Sequence, residues 1–173
     1  MVGREKVHNT KKTLAYLREL RGSIEQENVG TVSLDDILVT PLKRIPTVGG
    51  DVMHALKHSE NGFKGFGEVY FSWVECGAIK AWKCHQRMTM NLVVPMGEVS
   101  FVFYLTNQEN NFRDENIGED RYVRLTVPPG IWFGLQGKGS GQSLIMNLAD
   151  MAHDPDEVLR KKTSEFVYNW STQ

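Results

Sequence analysis

The sequence predicts an all-β protein: a small antiparallel barrel with a helix near each end of the chain. Short apolar runs suited to strands follow one another closely between residues 67 and 148, and turn signals such as Pro128-Pro129-Gly130 separate them. Many short strands at this spacing are typical of sandwiches and barrels. A barrel mouth is a common ligand site, so residues 77–98 and 122–137, which combine strands, turns and aromatic side chains, are the first candidates for one.

Seven strand candidates form the predicted barrel. A further set of short strands and turns is expected within residues 32–59, where β-branched and apolar runs are broken by prolines and a Gly-Gly pair. The polar residues 106–120 carry no motif and are interpreted as a solvated loop. The seven candidates cover residues 67–75, 78–85, 89–94, 99–105, 122–127, 132–135 and 143–148.

Two segments show helical signals. In residues 10–28, Thr10 is a possible N-cap and leucines follow at near-helical spacing. In residues 153–170, Asp154 and Pro155 are suited to a helix start. The predicted organisation is therefore a helical arm over residues 1–30 and a barrel with a C-terminal helix over residues 31–173. The arm is expected to pack on the barrel or on a partner subunit, with a regulatory or membrane-surface helix as the alternative.

Composition excludes several classes of partner. Twenty basic and twenty-one acidic residues give a net charge of −1, which provides no global field for nucleic acid or an anionic membrane. No apolar run is long enough to span a bilayer, so we expect a soluble, cytoplasmic protein. Cys76 and Cys84 are too few for a disulfide framework, and reduced thiols are expected. A nucleophilic Cys84, activated by its basic neighbours, is the alternative.

The strand over residues 78–85 carries the most suggestive chemistry. Strict alternation places Lys83 and His85 on one face, and Lys80, Trp82 and Cys84 on the other. An ammonium group beside the imidazole favours its neutral form, which suits a general base acting next to a carbonyl. The alternative is an ordinary surface strand with a solvated lysine and a hydrogen-bonded histidine.

Other classes of site have little support. The sequence contains no phosphate-binding glycine loop, no nucleophile elbow and no zinc-protease helix. A barrel metal site takes two histidines and a glutamate from one strand pair and a further histidine from a second. Only His85 is present here, which is too few for a transition metal, so we predict neither a metal nor a cofactor. Some of the basic residues in the first half of the barrel are expected to gather around a diphosphate.

The order of motifs resembles the dTDP-4-dehydrorhamnose 3,5-epimerase family, whose members are cupin barrels of jelly-roll type. The similarity runs from about residue 38 to residue 156. It lies in TVGGDVMHALK (residues 47–57), in GAIKAWKCHQ (77–86) for the family's Gly-Val-Leu-Arg-Gly-Leu-His-Phe-Gln, in NLVVPMGEV (91–99), and in PPGIWFGL (128–135) for its Pro-x-Gly-Phe-Ala-His-Gly-Phe. The resemblance implies a nucleotide-linked 4-keto-6-deoxy sugar as substrate, and homodimers formed by exchange of N-terminal strands.

Matching the motifs residue by residue shows both retained and altered positions. Lys80 stands at the family's phosphate-side arginine and keeps its charge. Lys83 stands at the general-base histidine, Asn91 at the catalytic lysine and Phe133 at the supporting histidine. The region of the family's acid tyrosine contains His153 and no tyrosine.

These observations predict an isomerase that removes a proton next to the keto group of a nucleotide sugar. His85 or Lys83 is the expected base and His153 the group that returns a proton. The expected substrate-binding and phosphate-binding residues are Lys80, Arg87, Asn91 and Trp132. Two alternatives remain open, a barrel that only binds a nucleotide sugar or saccharide, and a 3,4-ketoisomerase of the same fold.

Overall fold

Two five-stranded antiparallel sheets face each other in the computed structural model, which describes residues 32–107 and 111–171. Strands are numbered along the chain. The first sheet has the order β1 (Leu38–Pro41), β9 (Val123–Val127), β6 (Met90–Met96), β11 (Ser143–Ala149), β4 (Glu68–Val74). The second has the order β12 (Val158–Arg160), β5 (Ile79–His85), β10 (Trp132–Gly137), β7 (Glu98–Tyr104), β8 (Phe112–Gly118). A separate ribbon pairs β2 (Arg44–Ile45) with β3 (Val52–Met53), and single 3-10 turns cover Leu34–Asp36 and Thr163–Glu165. The predicted all-β antiparallel class is confirmed.

The second sheet is covered on both faces. On the face of β7 turned towards the first sheet, Val99, Phe101 and Phe103 are fully buried. On its other face, Val102 and Tyr104 belong to an aromatic cluster. Burial on both faces explains why this strand is a nearly continuous apolar run. We call the second set the outer aromatic cluster; it consists of Trp82, Cys84, Val102 and Trp132, with Ala81, Tyr104, Phe112, Phe166, Tyr168 and Trp170 packed against them.

The predicted C-terminal helix over residues 153–170 is wrong. Its first half contains β12, which pairs with β5, and a 3-10 turn follows. Beyond the turn, Phe166, Tyr168 and Trp170 place their rings 5.5, 6.4 and 5.3 Å from the ring of Trp82. These aromatic residues are spaced by two, so an extended chain directs them all to one side, whereas a helix would spread them around its axis. Tertiary packing therefore overrides the capping signals at Asp154.

Two further expectations concern the rest of the chain. The predicted helix over residues 10–28, and with it the arm over residues 1–30, lies outside the described residues. The loop predicted for residues 106–120 contains β8, which pairs with β7, so the prediction of a solvated loop is wrong there. Ile117 of β8 is buried, and Arg113 and Arg121 neutralise the buried Glu115 through ion pairs of 2.8 and 2.7 Å. The polar sequence therefore pairs its charges within an edge strand. Among the described residues, no helix is long and apolar enough to cross a membrane.

The outer aromatic cluster makes a stability prediction. Trp82 is 1% exposed at its centre, whereas Phe66, in the segment before β4, is 65% exposed. Replacing Trp82 with alanine is expected to lower the free energy of unfolding by about 3–5 kcal/mol, because it leaves a large cavity. The matched change Phe66→Ala should cost about 1 kcal/mol or less. Urea unfolding of both variants measures the difference; equal losses would contradict the described packing.

Candidate active site

A cavity of about 400 Å³ lies between the two sheets. Its apolar walls come mainly from alternate residues of β6, β7, β10 and β11, and its polar groups come from both sheets. A volume of this size is within the range of small-molecule sites. The polar lining residues are Glu68, Tyr70 and Ser72 of β4, Lys80, Lys83 and His85 of β5, Asn147 of β11, Arg160 of β12, and His153.

A bulge in β5 brings the side chain of Lys80 into the cavity, beside Lys83 and His85. Against β10, Lys83 pairs with Phe133 and Lys80 pairs with Leu135, so three steps along β5 correspond to two along β10. The extra residue resets the alternation of side chains. Lys80 therefore lines the cavity with Lys83 and His85, although strict alternation predicted the opposite face for it. The prediction that Lys83 and His85 share a face is confirmed.

His85 is held by a buried carboxylate. Its Nδ1 bonds to Oε1 of Glu157, while Oε2 accepts backbone N–H groups from Gln86 and Arg87 at 3.0 and 3.1 Å. Burial alone would raise the pKa of Glu157, but the bonds from His85 and the backbone outweigh it and leave this pKa below its ordinary value. An ionised carboxylate only accepts, so Nδ1 of the neutral imidazole carries the hydrogen and Nε2 keeps its lone pair. This tautomer presents a base to the cavity.

A stacking contact on one face of the ring also holds the imidazole of His85. The ring of Phe133 on β10 stacks on the ring of His85, with centroids 5.9 Å apart and planes 15° from parallel. Both residues line the cavity. Two contacts therefore limit rotation of His85, one through Nδ1 and one through its face.

Three cations line the cavity beside this imidazole. Lys83 on β5 and Arg160 on β12 are paired in register, and Lys80 shares the same strand as Lys83. Partial burial, and then the charges of Arg160 and Lys80, lower the pKa of Lys83. Lys80 Nζ donates to the carbonyl of Trp73 at 2.5 Å. Within the described residues, none of the three cations forms a salt bridge, so the cluster is suited to a multiply charged anion.

Strand register orders the polar groups along the barrel. Glu68 is opposite Ala149, which is opposite Met90, and Met90 follows His85 after a short connection. Glu68 therefore lies towards the His85 end of the cavity, whereas Ser72, four residues along β4, lies towards the Lys80 end. At about 3.3 Å per residue, His85 and Lys83 are separated by about 7 Å along β5. The imidazole and the cations are thus neighbouring parts of one cavity.

The structure brings some predicted site residues together and leaves others outside. His85, Lys83, Lys80 and His153 all line the cavity. Arg87 is outside its lining, with an exposed guanidinium bonded to Asp154.

Two other predicted residues are buried elsewhere. Asn91 accepts a hydrogen bond from Thr126 Oγ1 at 2.7 Å and is almost completely buried. Trp132 belongs to the outer aromatic cluster, with its ring 5.4 Å from that of Phe166. Neither side chain lines the cavity. The side chains of Asn91, Trp132 and Arg87 are therefore not in a position to contact a ligand in the cavity.

The sequence analysis missed six polar residues of the site: Glu68, Tyr70, Ser72, Asn147, Glu157 and Arg160. Glu157 and Arg160 lie in the tail that was assigned to a helix. Tyr70 and Asn147 were treated as ordinary strand residues. The spacing Glu68, Tyr70, Ser72, with polar groups at alternate positions of an otherwise apolar strand, was a signal that one face of β4 meets a polar cavity.

The cysteine alternative is disfavoured by the position of Cys84. Its side chain lies in the outer aromatic cluster, and burial, with the charge of Glu157, raises its pKa to about 11. A thiol with this pKa holds little thiolate at neutral pH. Among the described residues, no group of three or more His, Cys, Asp or Glu side chains could hold a metal ion.

Comparisons with known proteins give a consistent set of similarities. No family model matches the chain. It is 24% identical over 148 residues to the spore coat polysaccharide biosynthesis protein SpsL of Bacillus subtilis, covering 81% of this chain and 98% of SpsL. It is 31% identical to a dTDP sugar isomerase from Desulfovibrio desulfuricans, with a TM-score of 0.74 over 79% of this chain and 92% of the isomerase. The sugar 3,4-ketoisomerase QdtA from Thermoanaerobacterium thermosaccharolyticum, solved with TDP, is 16% identical, with a TM-score of 0.64 over 75% of this chain and 90% of QdtA, which is a likeness of fold.

The bond between His85 and Glu157 predicts a pH-dependent stability. Because the pKa of Glu157 in the folded protein is below its ordinary value of 4.5, its contribution is complete above that pH and is lost as the pH falls through the folded-state pKa. Glu157→Gln should therefore lower the free energy of unfolding by about 1–3 kcal/mol at pH 7, and the difference from the wild type should shrink towards pH 3.

Urea unfolding at a series of pH values measures this difference. Glu165→Gln is the matched control, because Glu165 is exposed on the same tail. The free energy of unfolding of Glu165→Gln should equal that of the wild type at every pH. A Glu157→Gln deficit that stays constant from pH 7 to pH 3 would contradict the assigned ionisation.

Proposed function

We propose that this chain, which belongs to the family of dTDP-sugar isomerases related to dTDP-4-dehydrorhamnose 3,5-epimerase, removes and returns a proton beside the keto group of a nucleotide-linked 4-keto-6-deoxyhexose. The observation that carries the proposal is the carboxylate-held His85 in a cavity that also contains three cations. The likeness to SpsL supports a place in polysaccharide biosynthesis.

His85 is the proposed base. With Nδ1 bonded to Glu157, Nε2 is the atom that accepts the proton from the carbon next to the keto group. The electron pair of the broken C–H bond forms a carbon–carbon double bond, and the keto oxygen becomes an enolate oxygen. The adjacent carboxylate stabilises the imidazolium that results. Glu157 thus acts through His85, by holding its orientation and balancing its charge.

The three cations are the proposed diphosphate site. Lys83, Lys80 and Arg160 bring three positive charges to a partly buried surface, where they attract the two negative charges of a sugar nucleotide. The separation of about 7 Å between His85 and Lys83 along the strand is close to the length of one hexose ring. A sugar linked to a diphosphate at the cations therefore lies beside the imidazole.

His153 is the proposed group for proton return. It lines the same cavity from the segment between β11 and β12, separate from the strand that carries His85. Return of the proton at the same carbon from a second direction inverts that carbon, which is epimerisation. Lys83 remains a second candidate base, since its lowered pKa favours a neutral amine more than that of an ordinary lysine does.

A 3,4-ketoisomerase is the second candidate function. The cavity contains one imidazole held by a carboxylate. A single base can remove the proton from C3 and return it at C4 while the hydroxyl on C3 gives its proton to the C4 oxygen, so the keto group moves to C3. Similarity in fold to QdtA is compatible with this outcome. The position at which the product carries its keto group distinguishes the two reactions.

Assembly and location complete the proposal. A cytoplasmic location is proposed from the similarity to a dTDP sugar isomerase and to a polysaccharide biosynthesis protein. A homodimer is proposed because Val69, Phe71 and Trp73 expose an apolar stripe on edge strand β4. A stripe of this kind on an edge strand is a typical subunit contact.

Deuterium exchange tests the proposed reaction. When the protein is incubated with dTDP-4-keto-6-deoxyglucose in deuterated water, NMR should show deuterium at C3 or C5, because the abstracted proton exchanges with solvent. His85→Gln should lower the exchange rate by about 10²–10⁴-fold. His58→Gln is the control, since His58 is exposed and outside the cavity.

The products separate the remaining alternatives. A product with its keto group at C3 identifies the ketoisomerase, and an inverted carbon with the keto group still at C4 identifies the epimerase. If the wild type shows no exchange but the sugar nucleotide still raises its melting temperature, the protein binds the sugar nucleotide without catalysing the reaction. Full activity of the His85→Gln variant would remove His85 as the base.

A further inference from the structure

A tyrosine and an asparagine form a fixed hydrogen-bonded pair inside the cavity, on the sheet opposite His85. Tyr70 of β4 and Asn147 of β11 are register partners, and both line the cavity. The Nδ2 group of Asn147 lies 2.9 Å from the hydroxyl oxygen of Tyr70. The proposed reaction has so far given this pair no role.

The orientation of the Asn147 amide follows from its other partner. The backbone N–H of Asn91 donates to Oδ1 of Asn147 at 3.2 Å. A backbone N–H can only donate, so this end of the amide must be the oxygen. The nitrogen end therefore faces Tyr70. The backbone N–H of Asn91 thus orients a cavity residue, although Asn91 itself does not line the cavity.

The direction of the hydrogen bond between Asn147 and Tyr70 decides whether the phenol proton of Tyr70 is available to a ligand. Because an amide nitrogen only donates, the oxygen of Tyr70 is the acceptor in this bond. The O–H of Tyr70 is therefore not used by Asn147, and among the described residues no other acceptor for it is within hydrogen-bond distance. Tyr70 can donate this hydrogen to a ligand in the cavity.

We propose that Tyr70, oriented by Asn147, donates a hydrogen bond to the keto oxygen of the sugar and stabilises the enolate that forms when His85 removes the neighbouring proton. This inference rests on the proposed function. In this step the C–H proton goes to His85 and its electron pair to the new carbon–carbon double bond. The carbonyl π electrons go to the oxygen, and Tyr70 keeps its own proton throughout. Tyr70 is thus a catalytic residue, and Asn147 is its positioning residue.

The charges of the cavity side chains are consistent with this role for Tyr70. The cations near Lys83 and Arg160 are suited to the permanent charges of a diphosphate. A neutral phenol adds no charge to the ground state, and its hydrogen bond strengthens as negative charge develops on the oxygen. Its oxygen is held in place by the bond from Asn147, so little reorganisation is needed during the reaction.

The test compares Tyr70→Phe with Tyr122→Phe. Tyr122 is the matched control, because its hydroxyl donates to the carbonyl of His54 and lies outside the cavity. In the deuterium-exchange assay, Tyr70→Phe should exchange about 10²–10³-fold more slowly than the wild type, which is the usual cost of losing one such donor. Its affinity for TDP alone should stay within about twofold, and Tyr122→Phe should match the wild type in both measurements.

Asn147→Asp separates a catalytic hydrogen bond from a structural one. A carboxylate at residue 147 still accepts the Asn91 N–H, but it also captures the hydroxyl proton of Tyr70. The pair stays bonded while the proton is withdrawn from the cavity, so exchange should slow by at least about tenfold, and retained affinity for TDP shows that the cavity is still formed. A purely structural contact would keep the wild-type rate.

The outcomes distinguish this inference from the proposed function. A wild type that exchanges no deuterium overturns the proposed reaction and this role with it. A wild type that exchanges, together with Tyr70→Phe at an equal rate, overturns the role of Tyr70 alone. Slow exchange in Tyr70→Phe and Asn147→Asp, with TDP affinity retained in both, supports it.

Discussion

The docking of residues 157–170 on strand β5 is the interaction on which the candidate site depends. Strand β12 pairs with β5, and beyond it Trp82 and Lys161 exchange backbone hydrogen bonds of 3.0 and 3.1 Å. The indole N–H of Trp82 then donates to the carbonyl of Thr163 at 3.2 Å, and three tail rings pack against the same indole. This continuous attachment places Glu157 against His85 and Arg160 in the cavity. The tail therefore both stabilises the fold and supplies part of the chemistry.

Strand β5 serves these two purposes on its two faces. Trp82 and Cys84 are buried in the outer aromatic cluster and fix the strand, while Lys83 and His85 line the cavity on the other side. The bulge adds Lys80 to the cavity face. Gathering three cations without an acidic partner among the described residues lowers the pKa of Lys83 and opposes folding, and a bound anion would relieve that repulsion. Such a local conflict with stability is typical of functional sites.

The sequence was sufficient to predict the strands and to place Lys83 and His85 on the same face of β5, because both follow from a two-residue period. It was insufficient where tertiary contacts decide the outcome. The bulge that turns Lys80 inward depends on the register between β5 and β10, for which the sequence has no local signal. The tail carried conflicting signals, helix caps at Asp154 and a two-residue aromatic period ending at Trp170, and packing against Trp82 selected the extended form. Glu157 was missed for the same reason, since its partner is 72 residues earlier in the chain.

Titration calorimetry with TDP tests whether the docked tail and β5 form one site for a nucleotide sugar. Arg160→Met removes the cation supplied by the tail, whereas the control Arg87→Met removes an exposed guanidinium outside the cavity. Arg160→Met should raise the Kd for TDP by about tenfold or more, which is the effect of losing one charge-assisted hydrogen bond, and Arg87→Met should change it by less than about twofold. Wild-type affinity in Arg160→Met, or an equal loss in Arg87→Met, would contradict the claim.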